Sequence, residues 1–227
     1  MSILIGVHGA KGSGKDTVFG FMHEWAGENG VVAGRRGFAD ALKHSFARLF
    51  IPDASLTEAV QWMERVKDGG ELEIREVQYS KGGQITTLTH QVPARVALQR
   101  FGTEGHRGVF GDDFWVDHLL PIRPDESDSW AMNFAPFMDF SGLPPEICVI
   151  TDLRFENEAE RVHQLGGEVW WINRPEVKDL EDTHASEAGL PLAMIDVTIN
   201  NDSGLDELRD AVRAEMELRH KIYLKGE

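Results

Sequence analysis

The chain has 227 residues, and 23 Lys and Arg against 38 Asp and Glu leave a formal charge of −15 at pH 7. That length permits one large domain with a lid or insertion, and a composition 41% hydrophobic and 27% charged belongs to a folded chain. The acidity argues against coating nucleic acid or an anionic membrane, since both rest on Lys and Arg. It leaves room for a small polyanion, which a few cations and backbone amides can hold.

No leader-like segment opens the sequence and no apolar run reaches membrane-spanning length, so a cytoplasmic location is expected. Cys148, the only cysteine, lies in the apolar run Ile147-Cys148-Val149-Ile150 and reads as a buried thiol. The nine His residues show no paired ligand spacing, which disfavours a protein-built zinc site.

In chain order, Ile3 to Val7 is a continuous apolar run that reads as a strand buried on both faces. Val18, Met22 and Trp25 follow at helical spacing, and the helix should stop near Gly27 to Gly30. Val31 to Phe38 is a weaker strand, and Leu42, Phe46 and Leu49 share a helical face that Pro52 would close. Glu71 to Tyr79 and Gln84 to Gln91 read as a β-hairpin about Ser80-Lys81-Gly82-Gly83. Pro93 suits the first turn of a helix carrying Val96, Leu98 and Phe101. A helix near Asp113 to Leu120 and a long loop complete the middle. Ile147 to Thr151 is a buried strand, Glu156 to Leu165 a helix stopped at Gly166-Gly167, and Glu168 to Ile172 and Ile195 to Ile199 two more strands. The last helix carries Leu205, Leu208, Val212 and Met216. Strands alternating with helices predict an α/β fold, a mostly parallel sheet with ligands at its carboxyl ends.

At the first such end stands Gly9-Ala10-Lys11-Gly12-Ser13-Gly14-Lys15-Asp16-Thr17. It follows the phosphate-loop pattern of Gly, four residues, Gly and Lys, with Asp16 at the usual Ser or Thr position. Glycines let backbone N–H groups converge on phosphate oxygens, and the helix start and the Lys ammonium add positive charge. The usual hydroxyl binds magnesium directly. Here Thr17 could supply it, Asp16 could act through a water, or Asp16 could simply cap the helix, and the sequence does not choose.

Three later segments narrow the class: Phe38-Ala39-Asp40-Ala41-Leu42-Lys43, then Leu98 to Glu104 with Arg107 and Trp115 downstream, then Thr151-Asp152-Leu153-Arg154-Phe155-Glu156-Asn157-Glu158. With the Gly-Lys-Asp-Thr ending of the first loop, they resemble the phage-type deoxynucleoside monophosphate kinases. The likeness runs in order from residue 1 to about Glu215, leaving out the hairpin and the loop from Pro121 to Glu146. It implies the P-loop kinase fold over residues 1–227, a monophosphate-binding insert at about 52–146 and a lid at about 174–192. It also implies transfer of the γ-phosphate of ATP, with Mg2+, to a deoxynucleoside 5′-monophosphate.

Carried over residue by residue, the resemblance puts ATP on Gly9, Lys11, Gly12, Ser13, Gly14, Lys15, Asp16, Thr17, Arg174 and Asn200. The acceptor falls to Arg36, Asp40, Lys43, Gln99, Arg107, Trp115 and Asp152, the metal to Asp16, Thr17 and Asp152, and catalysis to Lys15, Arg154 and Asp40. Chemically, Arg154 could pair with phosphate oxygens in the transition state, and Gln99 could read a base edge. Asp40 and Asp152 have the alternative reading of helix N-caps, and Trp115 reads as core or as a stacking surface. The expected partners are the two nucleotides, with neither nucleic acid nor membrane, and a homodimer is compatible. The rivals are another small-molecule P-loop kinase, such as one acting on dephospho-coenzyme A, and a non-kinase P-loop module.

Overall fold

The computed structural model describes residues 2–79, 85–121, 145–176 and 189–224, which form two compact units. The first holds residues up to Phe38 and from Val116 onward, the second Ala39–Trp115.

The first unit is built on five parallel strands in the order β2-β5-β1-β6-β7, with β1 Ile3–His8, β2 Ala33–Arg36, β5 Ile147–Leu153, β6 Glu168–Asn173 and β7 Val197–Asn200. Alternation explains why the strands read as unbroken apolar runs. Ile3, Ile5 and Val7 of β1 and Ile147 and Val149 of β5 face one layer, while Leu4, Cys148 and Ile150 face the other. The first layer is α1 Lys15–Glu28 with Val18, Met22 and Trp25, and the C-terminal helix Leu205–Arg219 with Leu208, Val212 and Met216. The second is the helix Glu156–Gln164, through Ala159 and Val162, with Phe38, Val116, Leu119 and Leu120. This is the α/β P-loop kinase fold expected. Cys148 is fully buried, and burial pushes its thiol pKa up to about 12, as an inert packing group requires.

The second unit contains most of α2 (Phe38–Ala47), α3 (Leu56–Val66), the antiparallel hairpin of β3 Glu71–Tyr79 and β4 Ile85–Pro93, and α4 Ala94–Gly102. A π-helical turn over Thr103–Arg107 follows, and the unit ends within α5 Phe114–Leu119. Later in the chain, Glu156–Gln164 is α6 and Leu205–Arg219 is α7. The unit's own core is Phe46, Ala47, Ala59, Met63, Leu72 and Ala94.

Three readings need correction. Leu49 does not share a buried face with Phe46: α2 ends at Ala47, two residues earlier, and Leu49 is exposed. Leu205 is likewise exposed, because it opens α7 outside the stripe of Leu208, Val212 and Met216. Helix α3 was not expected at all. Its signal was the capping box Ser55-Leu56-Thr57-Glu58 ahead of Ala59 and Met63. The Glu58 N–H donates to Ser55 Oγ (3.3 Å), and Glu58 Oε2 accepts from the Ser55 N–H (2.9 Å). The expected insert at 52–146 coincides only partly with the unit 39–115. Of the expected lid, residues 177–188 lie outside the described residues, as do 122–144 of the long middle loop.

Candidate functional site: a phosphate loop and its neighbours

Strand β1 ends at His8, and Gly9 to Gly14 turn the chain into α1. The loop's carbonyl oxygens are taken up by side chains. Lys15 Nζ donates to Gly9 O (2.5 Å) and Ala10 O (2.8 Å), Arg174 Nη1 to Gly12 O (3.2 Å), and Asn201 Nδ2 to Ser13 O (2.8 Å). The Ala10 carbonyl also accepts the N–H of Ser13 (3.1 Å) within the turn. The Ser13 hydroxyl lies within the same turn, 1% exposed and without a hydrogen-bond partner. Gly14 sits at φ +102°, the left-handed region, immediately before the first turn of α1.

Asp16 and Thr17 are exposed in that first turn. Asp16 Oδ1 pairs with Arg35 Nη1 at 3.2 Å, and Arg35 Nε donates to the buried Thr151 Oγ1 at 2.9 Å. Arg35 was missed by sequence reasoning, which chose Arg36. Alternation was the available signal: Arg35 shares the face of Ala33, which packs on the α1 layer, whereas Arg36 lies on the face of Cys148. The Arg36 guanidinium turns back to the Arg35 carbonyl (2.8 Å).

Asp152 stands near the end of β5, and its Oδ1 accepts the N–H of Phe38 at 2.7 Å. A Cβ on Gly37 would meet Asp152 Oδ2 at 2.6 Å, so the carboxylate fits over a residue that must be glycine. Asp152 therefore holds the start of α2, not of the helix that follows it in sequence. Helix α6 is capped instead by Glu158, a buried carboxylate that accepts the N–H groups of Arg154 (2.7 Å) and Phe155 (3.1 Å). Arg154 lines a cavity of about 270 Å³ together with His8, Gly9, Ala10, Asn173 and Arg174. His8 Nδ1 is 3.1 Å from the carbonyl of Leu153. Asn200 contacts Asn173, its Oδ1 accepting from Nδ2 at 2.9 Å, while the neighbouring Asn201 reaches the phosphate loop.

Within the second unit, Lys43 Nζ lies 3.5 Å from Asp40 Oδ1 and 3.0 Å from Glu64 Oε1. Burial raises the Glu64 pKa, but the Lys67 hydrogen bond and the Lys43 charge outweigh it and hold the carboxyl below its usual range. Gln99 and Arg107 are half-buried, the former in α4 and the latter at the end of the π turn, a geometry found often at functional positions. Trp115 is packed inside, 4% exposed, with its indole N–H toward Gly102 O (3.3 Å) and its ring against His106 and Phe114. In this arrangement it is core, and it presents no open ring face for a base.

A parallel sheet that delivers a glycine loop, a lysine, two arginines and an aspartate to its carboxyl end defines a P-loop phosphotransferase. Comparison with known proteins makes the class narrower. A model of the family "Deoxynucleotide monophosphate kinase" matches residues 57–212, and the chain belongs to that family. It is 31% identical over 124 residues to the deoxynucleotide monophosphate kinase of Escherichia phage RB69, covering 55% of this chain and 45% of that one. Against the enzyme of the same name from Enterobacteria phage T4 the identity is 30% over 147 residues, covering 64% and 55%. The deoxynucleoside-5'-monophosphate kinase of Escherichia phage T5 is 24% identical over 252 residues, covering 92% and 94%. The chain thus spans about half the length of the RB69 and T4 relatives and nearly all of the T5 relative. Among the described residues, no helix is long and apolar enough to cross a membrane.

Proposed function

We propose that the protein transfers the γ-phosphate of ATP to a deoxynucleoside 5′-monophosphate, yielding the diphosphate. The observation that carries this reading is the phosphate loop, whose carbonyls are engaged by Lys15, Arg174 and Asn201. Transfer needs two phosphate groups held in line and their charge compensated. Lys15 would leave the Gly9 and Ala10 carbonyls for the β- and γ-phosphates, and Arg174 would turn from Gly12 toward ATP as a lid at 174–192 closes. Arg154 would meet the charge that develops on the transferring group. Asp40, Lys43, Gln99, Arg107 and Arg36 would serve the acceptor, whose phosphate is already ionised and needs no strong base.

The metal would be Mg2+. Asp16, Thr17 and Asp152 offer oxygen donors, the donor type that a hard cation takes. Among the described residues no group of three or more His, Cys, Asp or Glu is gathered, so Mg2+ would be shared with phosphate oxygens. When bound, it would neutralise charge on the β- and γ-phosphates. The Arg35 guanidinium at 3.2 Å already engages Asp16, which favours Thr17 and Asp152 as the donors. We assign the protein to the cytoplasm and to free nucleotides rather than nucleic acid.

The test is coupled ADP release with ATP, Mg2+ and a panel of deoxynucleoside monophosphates, dephospho-coenzyme A and DNA. Stimulation by one or more deoxynucleoside monophosphates is expected. None from any of them would overturn the assignment, and stimulation by dephospho-coenzyme A alone would replace it.

A further inference from the structure

We propose that Asn201 is a positioning residue for the donor triphosphate, acting on the phosphate loop through the Ser13 carbonyl and not on the base. This deepens the kinase reading and rests on its placement of the triphosphate at that loop.

Three side chains grip the loop carbonyls, and they differ in what they can do once nucleotide arrives. Lys15 and Arg174 are cations, and each has a phosphate to meet. Asn201 is neutral, so a polyphosphate offers it no comparable pull, and its 2.8 Å bond to Ser13 O persists. That bond fixes one peptide plane. Every described peptide is trans, so the Gly14 N–H must point away from Asn201.

The fit around Gly14 is independent of the hydrogen bond. A Cβ on Gly14 would lie 2.7 Å from Asn201 Nδ2, so the amide packs directly over the α-carbon of a residue already at φ +102°. Asn201 is itself anchored, since its N–H donates to Asn173 O at 2.8 Å at the end of the β6–β7 pair. Sheet edge, amide and phosphate loop therefore form one rigid chain of contacts. The loop after β7, which the resemblance assigns to ATP through Asn200, acquires a second task at its next residue.

The experiment compares wild type with Asn201→Asp and Asn201→Ala. Asp keeps the shape but sets an acceptor against the Ser13 carbonyl; Ala removes the side chain. Calorimetry measures binding of ATP and of inorganic tripolyphosphate, with Mg2+, and steady-state kinetics separates the two Michaelis constants. Both variants should lose about tenfold in affinity for ATP and for tripolyphosphate alike, Asp more than Ala, with the acceptor's KM and the melting temperature nearly unchanged. ATP binding lost with tripolyphosphate binding kept would place Asn201 on the base and overturn the proposal. Unchanged binding of both ligands, or failure of both variants to fold, would overturn it as well. A wild type that binds tripolyphosphate in this Asn201-dependent way but phosphorylates no monophosphate would refute the kinase reading alone.

Discussion

Two lysines, one in each unit, are held in opposite ways. Lys15 donates to two carbonyl oxygens, whereas Lys43 faces two carboxylates, Asp40 and Glu64. At the phosphate loop, the bonds of Lys15 to the Gly9 and Ala10 carbonyls are contacts that an incoming polyphosphate can outcompete. The second unit holds its lysine in a network 14% exposed at Lys43, where an anion must displace an existing partner. On the proposed function, the difference separates a loop that meets phosphate from a charge cluster with partners of its own.

The largest effect that would break this contrast is at Lys15. Lys15→Ala should lower kcat/KM by about 10³-fold with the melting temperature unchanged, read by ADP release and thermal unfolding. Turnover within tenfold of wild type would mean that the loop lysine meets no phosphate. Next comes the core of the second unit: Phe46→Ala should cost about 3–5 kcal/mol in urea unfolding, because Phe46 is 4% exposed in that core.

Lys43→Met is expected to raise the acceptor's KM about tenfold and leave the KM for ATP alone. A loss of stability with both constants unchanged would make Lys43 purely structural. The smallest effect is a pH dependence. The Glu64 carboxyl lies below its usual range in the folded state, so its stabilising contribution is present above the unfolded value of about 4.3 and lost as pH falls through the folded one. Glu64→Gln should flatten the acid limb of stability against pH, and an unchanged limb would show the Lys43–Glu64–Lys67 cluster to be without weight.

The sequence was legible where chemistry follows from buried strands. Continuous runs such as Ile3 to Val7 and Ile147 to Thr151 can sit only inside a sheet, and the residues just past them, Gly9 to Thr17 and Asp152 to Arg154, must emerge at its carboxyl end. What could not be read is pairing across distance. Asp152 lies a few residues from α6 in sequence yet holds the start of α2, 114 residues away, and no local pattern distinguishes the two helices. Arg35 and Arg36 are neighbours of identical chemistry, separated only by which sheet face each occupies. Trp115 has the residue type of either a stacking platform or a core, and packing against His106 and Phe114 makes it core. Helix α3, by contrast, announced itself through Ser55 and Glu58 and could have been read.

The central claim, that the loop lysine delivers phosphate to a deoxynucleoside monophosphate, is tested most directly by following the label of γ-³²P-ATP. With wild type, Mg2+ and a panel of deoxynucleoside monophosphates, the label should appear in a deoxynucleoside diphosphate, and it should vanish from that product with Lys15→Ala. Label found only in inorganic phosphate, or transferred equally well by Lys15→Ala, would contradict the account.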